Sequence, residues 1–142
     1  MAAEIEISTD PARLDIPLIH RVLSNSYWAK GRSVGVVEKS IRNSLCFGAY
    51  LDGVQIAFAR LITDRAVFAY LADVFVVPES QGRGISKMLL EEILAHPDIT
   101  GLKLIRLATR DAHGLYEKYG FESTTNSDKT MELFANEPDN QH

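Results

Sequence analysis

Between residues 73 and 86 the chain reads Asp-Val-Phe-Val-Val-Pro-Glu-Ser-Gln-Gly-Arg-Gly-Ile-Ser, a strand of buried type that runs through a glycine-rich turn directly into a helix. Such a junction aims several main-chain N–H groups at one point, where an anion is held by hydrogen bonds and by the helix dipole. Gly82 and Gly84 let the backbone approach that anion with no Cβ in the way, and Arg83 adds a positive charge beside it. The arrangement suits a pyrophosphate. Two familiar phosphate loops are excluded by spacing. The nucleoside triphosphate loop ends in Gly-Lys-Ser/Thr, whereas here Ser86 precedes Lys87 and no earlier glycine stands at the required distance. The dinucleotide fingerprint needs three glycines early in a βαβ unit, and this turn lies past mid-chain and supplies two.

The flanking elements follow from periodicity. Glu4 to Ser8 alternates polar and apolar residues and reads as a first strand. Leu18, Ile19, Val22 and Leu23 make one stripe of a helix from Asp15 to Ser24 capped by Asp15, and Val36, Val37 and Ile41 mark a second helix ending near Asn43. Three strands come next, Leu45 to Leu51, Gln55 to Thr63 and Val67 to Val77, joined by Asp52-Gly53 and by Thr63-Asp64-Arg65 into an antiparallel meander. After the glycine turn, Ile85, Met88, Leu89 and Ile93 keep helical spacing up to Pro97. Leu102 to Leu107 is a strand expected to run parallel to Val67 to Val77, because a helix separates the two. A short helix from Ala112 to Tyr119 follows, capped by Asp111 and stopped at Gly120 with Phe121 folded back on it. Phe121 to Thr124 and Thr130 to Phe134 are then expected to close the sheet. The expected fold is α/β (α+β), one domain over residues 1–135 followed by a polar tail, 136–142. Its mixed central sheet has about seven strands with helices on both faces, in the order βααβββαβαββ.

Bulk properties narrow the function. A net charge of −4 with scattered basic residues argues against a nucleic-acid surface and leans toward a cationic small substrate. Cys46, the one cysteine, lies in an apolar run, so an internal disulfide and a cysteine zinc cluster are both excluded and an inert buried thiol is expected. His20, His96, His113 and His142 have no ligand spacing, and no metal is expected. The chain shows neither a leader-like start nor a stretch long enough to span a membrane, so a cytoplasmic protein with no membrane partner is expected.

Gln81-x-x-Gly84-x-Ser86 resembles the acyl-CoA signature of the GCN5-related N-acetyltransferase (GNAT) superfamily, with Ser86 a mild departure at the last small position. Ala112-His-Gly-Leu-Tyr-Glu-Lys-Tyr-Gly-Phe121 is similar to the motif that follows that family's fifth strand, and the order of elements is similar over nearly the whole chain. Two motifs, each on its expected element, are harder to reach by chance than either alone. The resemblance implies acetyl-CoA as co-substrate and transfer of an acetyl group to a primary amine by direct attack in a ternary complex. It also implies two parallel strands that part at their C-terminal ends, with the CoA arm in the gap. Phe75, Val76 and Val77 would line that gap, the main-chain groups of Phe75 and Val77 pairing with pantetheine and the Phe75 N–H serving the thioester oxygen. Gln81, Gly82, Arg83, Gly84, Ile85 and Ser86 would hold the pyrophosphate. Where the family often has a CoA-contacting Asn, this chain has Thr109.

Two residues are candidates for the chemistry. Tyr116 matches the family tyrosine that gives a proton to the departing sulfur; its alternative reading is a core tyrosine beside Leu115, Tyr119 and Phe121. Asp73 interrupts an apolar strand, where a carboxylate is costly unless paired or useful. By period two it is expected on the face of Leu71 and Phe75, either taking the amine proton or holding a cationic substrate; the alternative is a structural carboxylate paired with Arg60 or Arg65. Tyr27 and Trp28, with Lys30 and Arg32 nearby, fall where this fold builds its acceptor pocket, although Trp28 could equally plug the core. Acceptors from small-molecule amines to protein or peptide amines remain open, as does a homodimer, which the family often forms. The competing reading is a catalytically silent acyl-CoA sensor or interaction domain.

Overall fold

A computed structural model of the chain describes residues 4–124 and 127–136. Five strands form one sheet in the order β1-β2-β3-β4-β5: β1 (Ile5–Ser8), β2 (Leu45–Leu51), β3 (Val54–Thr63), β4 (Phe68–Val76) and β5 (Leu104–Leu107). Each of the first four is antiparallel to its neighbour and β5 is parallel to β4, as the intervening helix requires. The helices are α1 (Ile16–Ser24), α2 (Val34–Arg42), α3 (Ile85–Ala95), the single turn α4 (Pro97–Thr100) and α5 (His113–Glu117).

Local chemistry sets these boundaries. The Asp15 carboxylate accepts the Leu18 N–H and opens α1, and the Ser33 hydroxyl accepts the Val36 N–H and opens α2. Asp52 and Gly53, both at positive φ (51° and 78°), make the tight β2–β3 turn. Asp64 closes the next turn by accepting the N–H groups of Ala66, Val67 and Phe68. The core runs from Leu14 to Ile99, with Phe47, Phe58, Ile19, Leu61 and Leu89 fully enclosed.

The β3–β4 register assigns the two faces of the sheet. Ala57 pairs with Val76 and Leu61 with Leu71, on the face against which α3 packs through Leu89, Leu90 and Ile93 beside Ala59, Leu71 and Val74. Arg60 pairs with Ala72 and Phe58 with Phe75 on the opposite face. On that second face Cys46 lies against the Ile41 carbonyl of α2, whereas Phe47, one residue on, meets His96 at the end of α3. Helices therefore cover both faces.

Three expectations need correction. Residues 121–124 and 130–134 form no strands, so the described sheet has five members instead of about seven. Met131, Leu133 and Phe134 are 93%, 87% and 74% exposed. The alternating pattern suited a strand, but a strand also needs a ladder partner and a face to bury, and the edge strand here is only four residues long. Asp111 does not cap α5: Ala112 stands at that position, and the Thr109 hydroxyl accepts its N–H at 3.1 Å. Asp73 does not share a face with Leu71. Three residues of β4 span the interval from Ala72 to Phe75 where β3 uses two, from Arg60 to Phe58, and Asp73 sits in that bulge at φ 57°. The extra residue shifts the alternation and turns its side chain toward Arg60. Residue 137 onward, most of the expected tail, lies outside the described residues.

Candidate active site

The ladder between β4 and β5 runs from Phe68–Leu104 to Leu71–Leu107 and stops there. From Ala72 to Val76, β4 continues with no ladder partner on the β5 side among the described residues, so the two strands open into a wedge that begins at the Asp73 bulge. A strand with one free side presents unpaired N–H and C=O groups, which an extended amide chain can match. Which groups these are follows from the opposite edge. The Val77 N–H donates to the Ile56 carbonyl at 2.9 Å and the Val77 carbonyl accepts the Ser80 N–H at 3.0 Å. Counting back by the antiparallel alternation, Phe75 also addresses β3, opposite Phe58, and Val76 addresses the wedge. The expectation for the main-chain groups of Phe75 and Val77 is therefore corrected by one residue, a shift that the bulge makes invisible to residue counting.

Next to the wedge stands the glycine turn. Gly82 (φ 82°) and Gly84 (φ 76°) are both in the left-handed region, and no atom lies within 4 Å of where a Cβ would stand on either. Gly84 is the N-cap of α3, and no side chain caps that helix, so the leading N–H groups of α3, which have no intrahelical partner, are left without a side-chain acceptor there. Gln81, although exposed, bends back on the strand: its side-chain amide donates to the Val76 carbonyl at 3.0 Å, tying the turn to the end of β4. Arg83 also borders a groove lined by Asp15, Arg21 and Glu79. Ser86 faces a small apolar cavity beneath the wedge, walled by Ala59, Leu71, Val74, Leu89 and Tyr116.

Tyr116 is positioned by the way α5 ends. Gly120 adopts φ 94°, the Phe121 N–H reaches back to the Tyr116 carbonyl and the Gly120 N–H to that of Glu117. This pairing is a Schellman stop, in which the residue after the glycine packs on the last turn. Phe121 does so, its ring meeting the Tyr116 ring edge-on at 5.7 Å. Burial raises the pKa of the Tyr116 hydroxyl above the ordinary phenol value, so it stays protonated at neutral pH.

On the other face of the wedge Asp73 is the hub of a charged cluster. Its carboxylate accepts the Trp28 Nε1–H, Arg32 Nη1–H and Arg60 Nε–H, each at 2.9 Å, and Arg60 Nη1 also donates to the Ser44 hydroxyl. Burial by itself would raise the Asp73 pKa; the two guanidiniums and the hydrogen bonds from Arg60 and Trp28 outweigh it and hold the carboxyl below its ordinary value. Tyr27 stands nearly perpendicular to Trp28 at 5.2 Å, and the Arg110 guanidinium lies 3.8 Å above the Tyr27 ring. The α1–α2 loop and the β5–α5 loop thus meet across the mouth of the wedge. Arg65, the other partner considered for Asp73, pairs instead with Asp98. Burial pushes the Cys46 thiol up to about 12, which leaves no thiolate for nucleophilic work.

The structure therefore brings Val76, Ser86 and Tyr116 to one side of the wedge and Tyr27, Trp28, Arg32 and Asp73 to the other. Thr109 is occupied in opening α5. Sequence reasoning missed Arg110 altogether and noted Arg60 only as a pairing option. A lone basic residue within an apolar strand was the available signal for Arg60; Arg110 offered none. Among the described residues, no group of three or more His, Cys, Asp or Glu could hold a metal ion, and no helix is long and apolar enough to cross a membrane.

Comparison with known proteins agrees with this geometry. The model of the Acetyltransferase (GNAT) domain matches residues 42–123. A Gibberella zeae protein carried under the name of an acetyltransferase is 30% identical over 135 residues, 79% of this chain and 75% of its own length. The crystal structure of a Xanthomonas campestris pv. campestris protein assigned to the GNAT family superposes with a TM-score of 0.90 at 50% identity, covering 94% of this chain and 95% of that one. A GNAT acetyltransferase of Elizabethkingia anophelis, solved with acetyl-CoA bound, shares the fold at a TM-score of 0.65 and 20% identity, over 90% of this chain and 86% of that one. A parted β4–β5 pair, an uncapped glycine turn and matches of this extent together make the chain a member of the GNAT acetyltransferase family.

Proposed function

We propose that the protein is an acetyl-CoA-dependent N-acetyltransferase that moves an acetyl group onto a primary amine by direct attack. The wedge beside an uncapped helix, with Tyr116 lining the cavity beneath it, carries this reading. The residues present fit the co-substrate: the N–H of Val76 on the open side of β4 suits a carbonyl of pantetheine, the Val76 carbonyl being engaged by Gln81, and the glycine turn from Gly82 to Ser86 suits a diphosphate. When bound, acetyl-CoA supplies an acetyl group already activated as a thioester. Tyr116, kept protonated by burial, holds a proton for the departing sulfur. The amine nitrogen bonds to the carbonyl carbon, the carbon–sulfur bond breaks with its electron pair on sulfur, and the amine proton leaves to solvent.

Asp73 serves this chemistry by position. With its carboxylate engaged by three donors and its pKa held low, it is a weak proton acceptor and a firm anchor for Trp28 and Arg32. Tyr27, Trp28 and Arg32 border the acceptor side. The placement of Tyr116 on the cavity wall favours an enzyme over a silent sensor.

Two measurements test the reading. Acetyl-CoA at 100 times its Kd should stabilise the fold by about 2.7 kcal/mol in thermal melts, and no stabilisation at all would refute cofactor binding. Tyr116→Phe should lower kcat by about 100-fold or more with acetyl-CoA affinity little changed, as expected for loss of a general acid. Unchanged turnover would remove the role assigned to Tyr116.

A further inference from the structure

We propose that the acceptor is an amine that also carries a carboxylate, of the α-amino acid class, and that Arg32 is the residue that binds that carboxylate. This inference rests on the acetyltransferase reading and names the substrate class for the same site.

The argument begins with an imbalance of charge. On the acceptor face one carboxylate, Asp73, meets two guanidiniums, Arg32 and Arg60. Among the described residues neither arginine has a second acidic partner, and the other hydrogen bond of Arg60 goes to the neutral hydroxyl of Ser44. Arg110, stacked on Tyr27 at the mouth, is exposed to solvent and has no ion pair among the described residues, so the enclosed surplus is that of Arg32 and Arg60. The chain as a whole carries a net charge of −4, so a local excess of positive charge runs against its average. A surplus cation held out of bulk water is a standing cost that an anionic ligand relieves.

The three arginines are not equivalent. Arg60, 11% exposed at its side chain, spends Nε on Asp73 and Nη1 on Ser44 and is shut into the sheet face. Arg32, 22% exposed, spends only Nη1, and its Nε and Nη2 have no protein acceptor among the described residues. Those remaining donors keep the planar fork that grips a carboxylate, and the bond to Asp73 fixes the plane in advance. Tyr27, 49% exposed and edge-on to Trp28, lines the same opening with aromatic surface suited to an apolar side chain.

The same imbalance bears on the choice of acceptor. A polyamine would bring further positive charge into a positive opening. The sequence-based lean toward a cationic substrate, drawn from net charge alone, is reversed by the local distribution.

The test uses the full chain and matched acceptors: leucine and phenylalanine, their α-amides, and the decarboxylated amines isoamylamine and phenethylamine. Thiol release from acetyl-CoA is followed for each, and calorimetry of the CoA-loaded protein compares N-acetyl-leucine and N-acetyl-phenylalanine with their amides. The expected result is kcat/KM at least about tenfold higher for the carboxylates, with Arg32→Gln raising their KM about tenfold or more while acetyl-CoA affinity stays constant. Arg32→Lys, which keeps the charge on Asp73 and loses the fork, should recover part of that loss and shows whether the Gln result reflects misfolding. Amides or plain amines that bind and react as well as the carboxylates overturn the inference, as does an Arg32→Gln variant that loses acetyl-CoA affinity instead. Failure of all six acceptors and of the calorimetric ligands also overturns it. If acetyl-CoA stabilises the protein in any of these cases, the acetyltransferase reading stands and only the substrate class falls; if acetyl-CoA does not bind, both fall.

Discussion

Asp73 joins backbone geometry, burial and charge at one position. It holds a strained backbone angle at the bulge, orients an indole and fixes a guanidinium, while buried among groups that would repel one another without it. Removing one partner of a buried ionic cluster leaves the others uncompensated, and such losses cost about 3–5 kcal/mol. Asp73→Asn should therefore lower the urea midpoint by a corresponding amount and destabilise the fold far more than Tyr116→Phe, which removes one hydroxyl from a residue that lines a cavity. The same carboxylate predicts acid sensitivity. Its pKa is lower in the folded than in the unfolded protein, so its contribution is fully present above the unfolded value, about 3.9, and is lost as pH falls through the folded one. Denaturation followed from pH 6 to pH 2 should show wild-type stability dropping below about pH 4 more steeply than that of Asp73→Asn. Parallel profiles would mean that the cluster does not carry the stability assigned to it.

At the scale of elements, the glycine turn and the wedge were legible to different degrees. The turn could be read because left-handed conformations leave a mark in composition: Gly82 and Gly84 stand where φ is 82° and 76°. The limits of β2, Leu45–Leu51, were equally plain, since an apolar run ends at Asp52-Gly53. The bulge left no such mark. One extra residue between Ala72 and Phe75 changes no hydrophobic pattern that can be seen in a single strand, yet it decides which face Asp73 takes and which main-chain groups meet the gap. The last two expected strands failed for a related reason, because pairing is a property of two segments and the sequence displays one at a time. The turn yields its own prediction. Gly84→Ala would meet no steric neighbour, so its cost is the conformational strain of a Cβ at positive φ, about 1–2 kcal/mol. Acetyl-CoA affinity should fall as well, because the leading N–H groups of α3 would shift. Gly35→Ala, in α2 with open space and no positive φ, should be neutral or stabilising by up to about 1 kcal/mol and leave that affinity alone. Equal effects at the two glycines, read from urea melts and calorimetry, would contradict this account.

Across the whole molecule the two walls of the wedge differ in how firmly they are held. The wall made by β4 belongs to the core, with Ala69, Leu71, Asp73 and Phe75 all buried and β3 paired along its other edge. The wall made by β5 and α5 has no fully buried residue: beyond Ile99, every described residue whose exposure is assigned is intermediate or exposed. Local opening follows local burial, so the second wall should open at a lower free energy than the first. A ligand that bridges both walls should stabilise mainly the looser one, since the firmer wall is already limited by global unfolding. Hydrogen exchange read by mass spectrometry should accordingly show faster exchange over residues 104–117 than over residues 45–63 in the free protein. Saturating acetyl-CoA should slow exchange over 104–117, and over the glycine turn, with little change in 45–63. Protection spread evenly across the chain would mean that the two walls move as one body, and a wedge that accepts its ligand by yielding on one side would have to be abandoned.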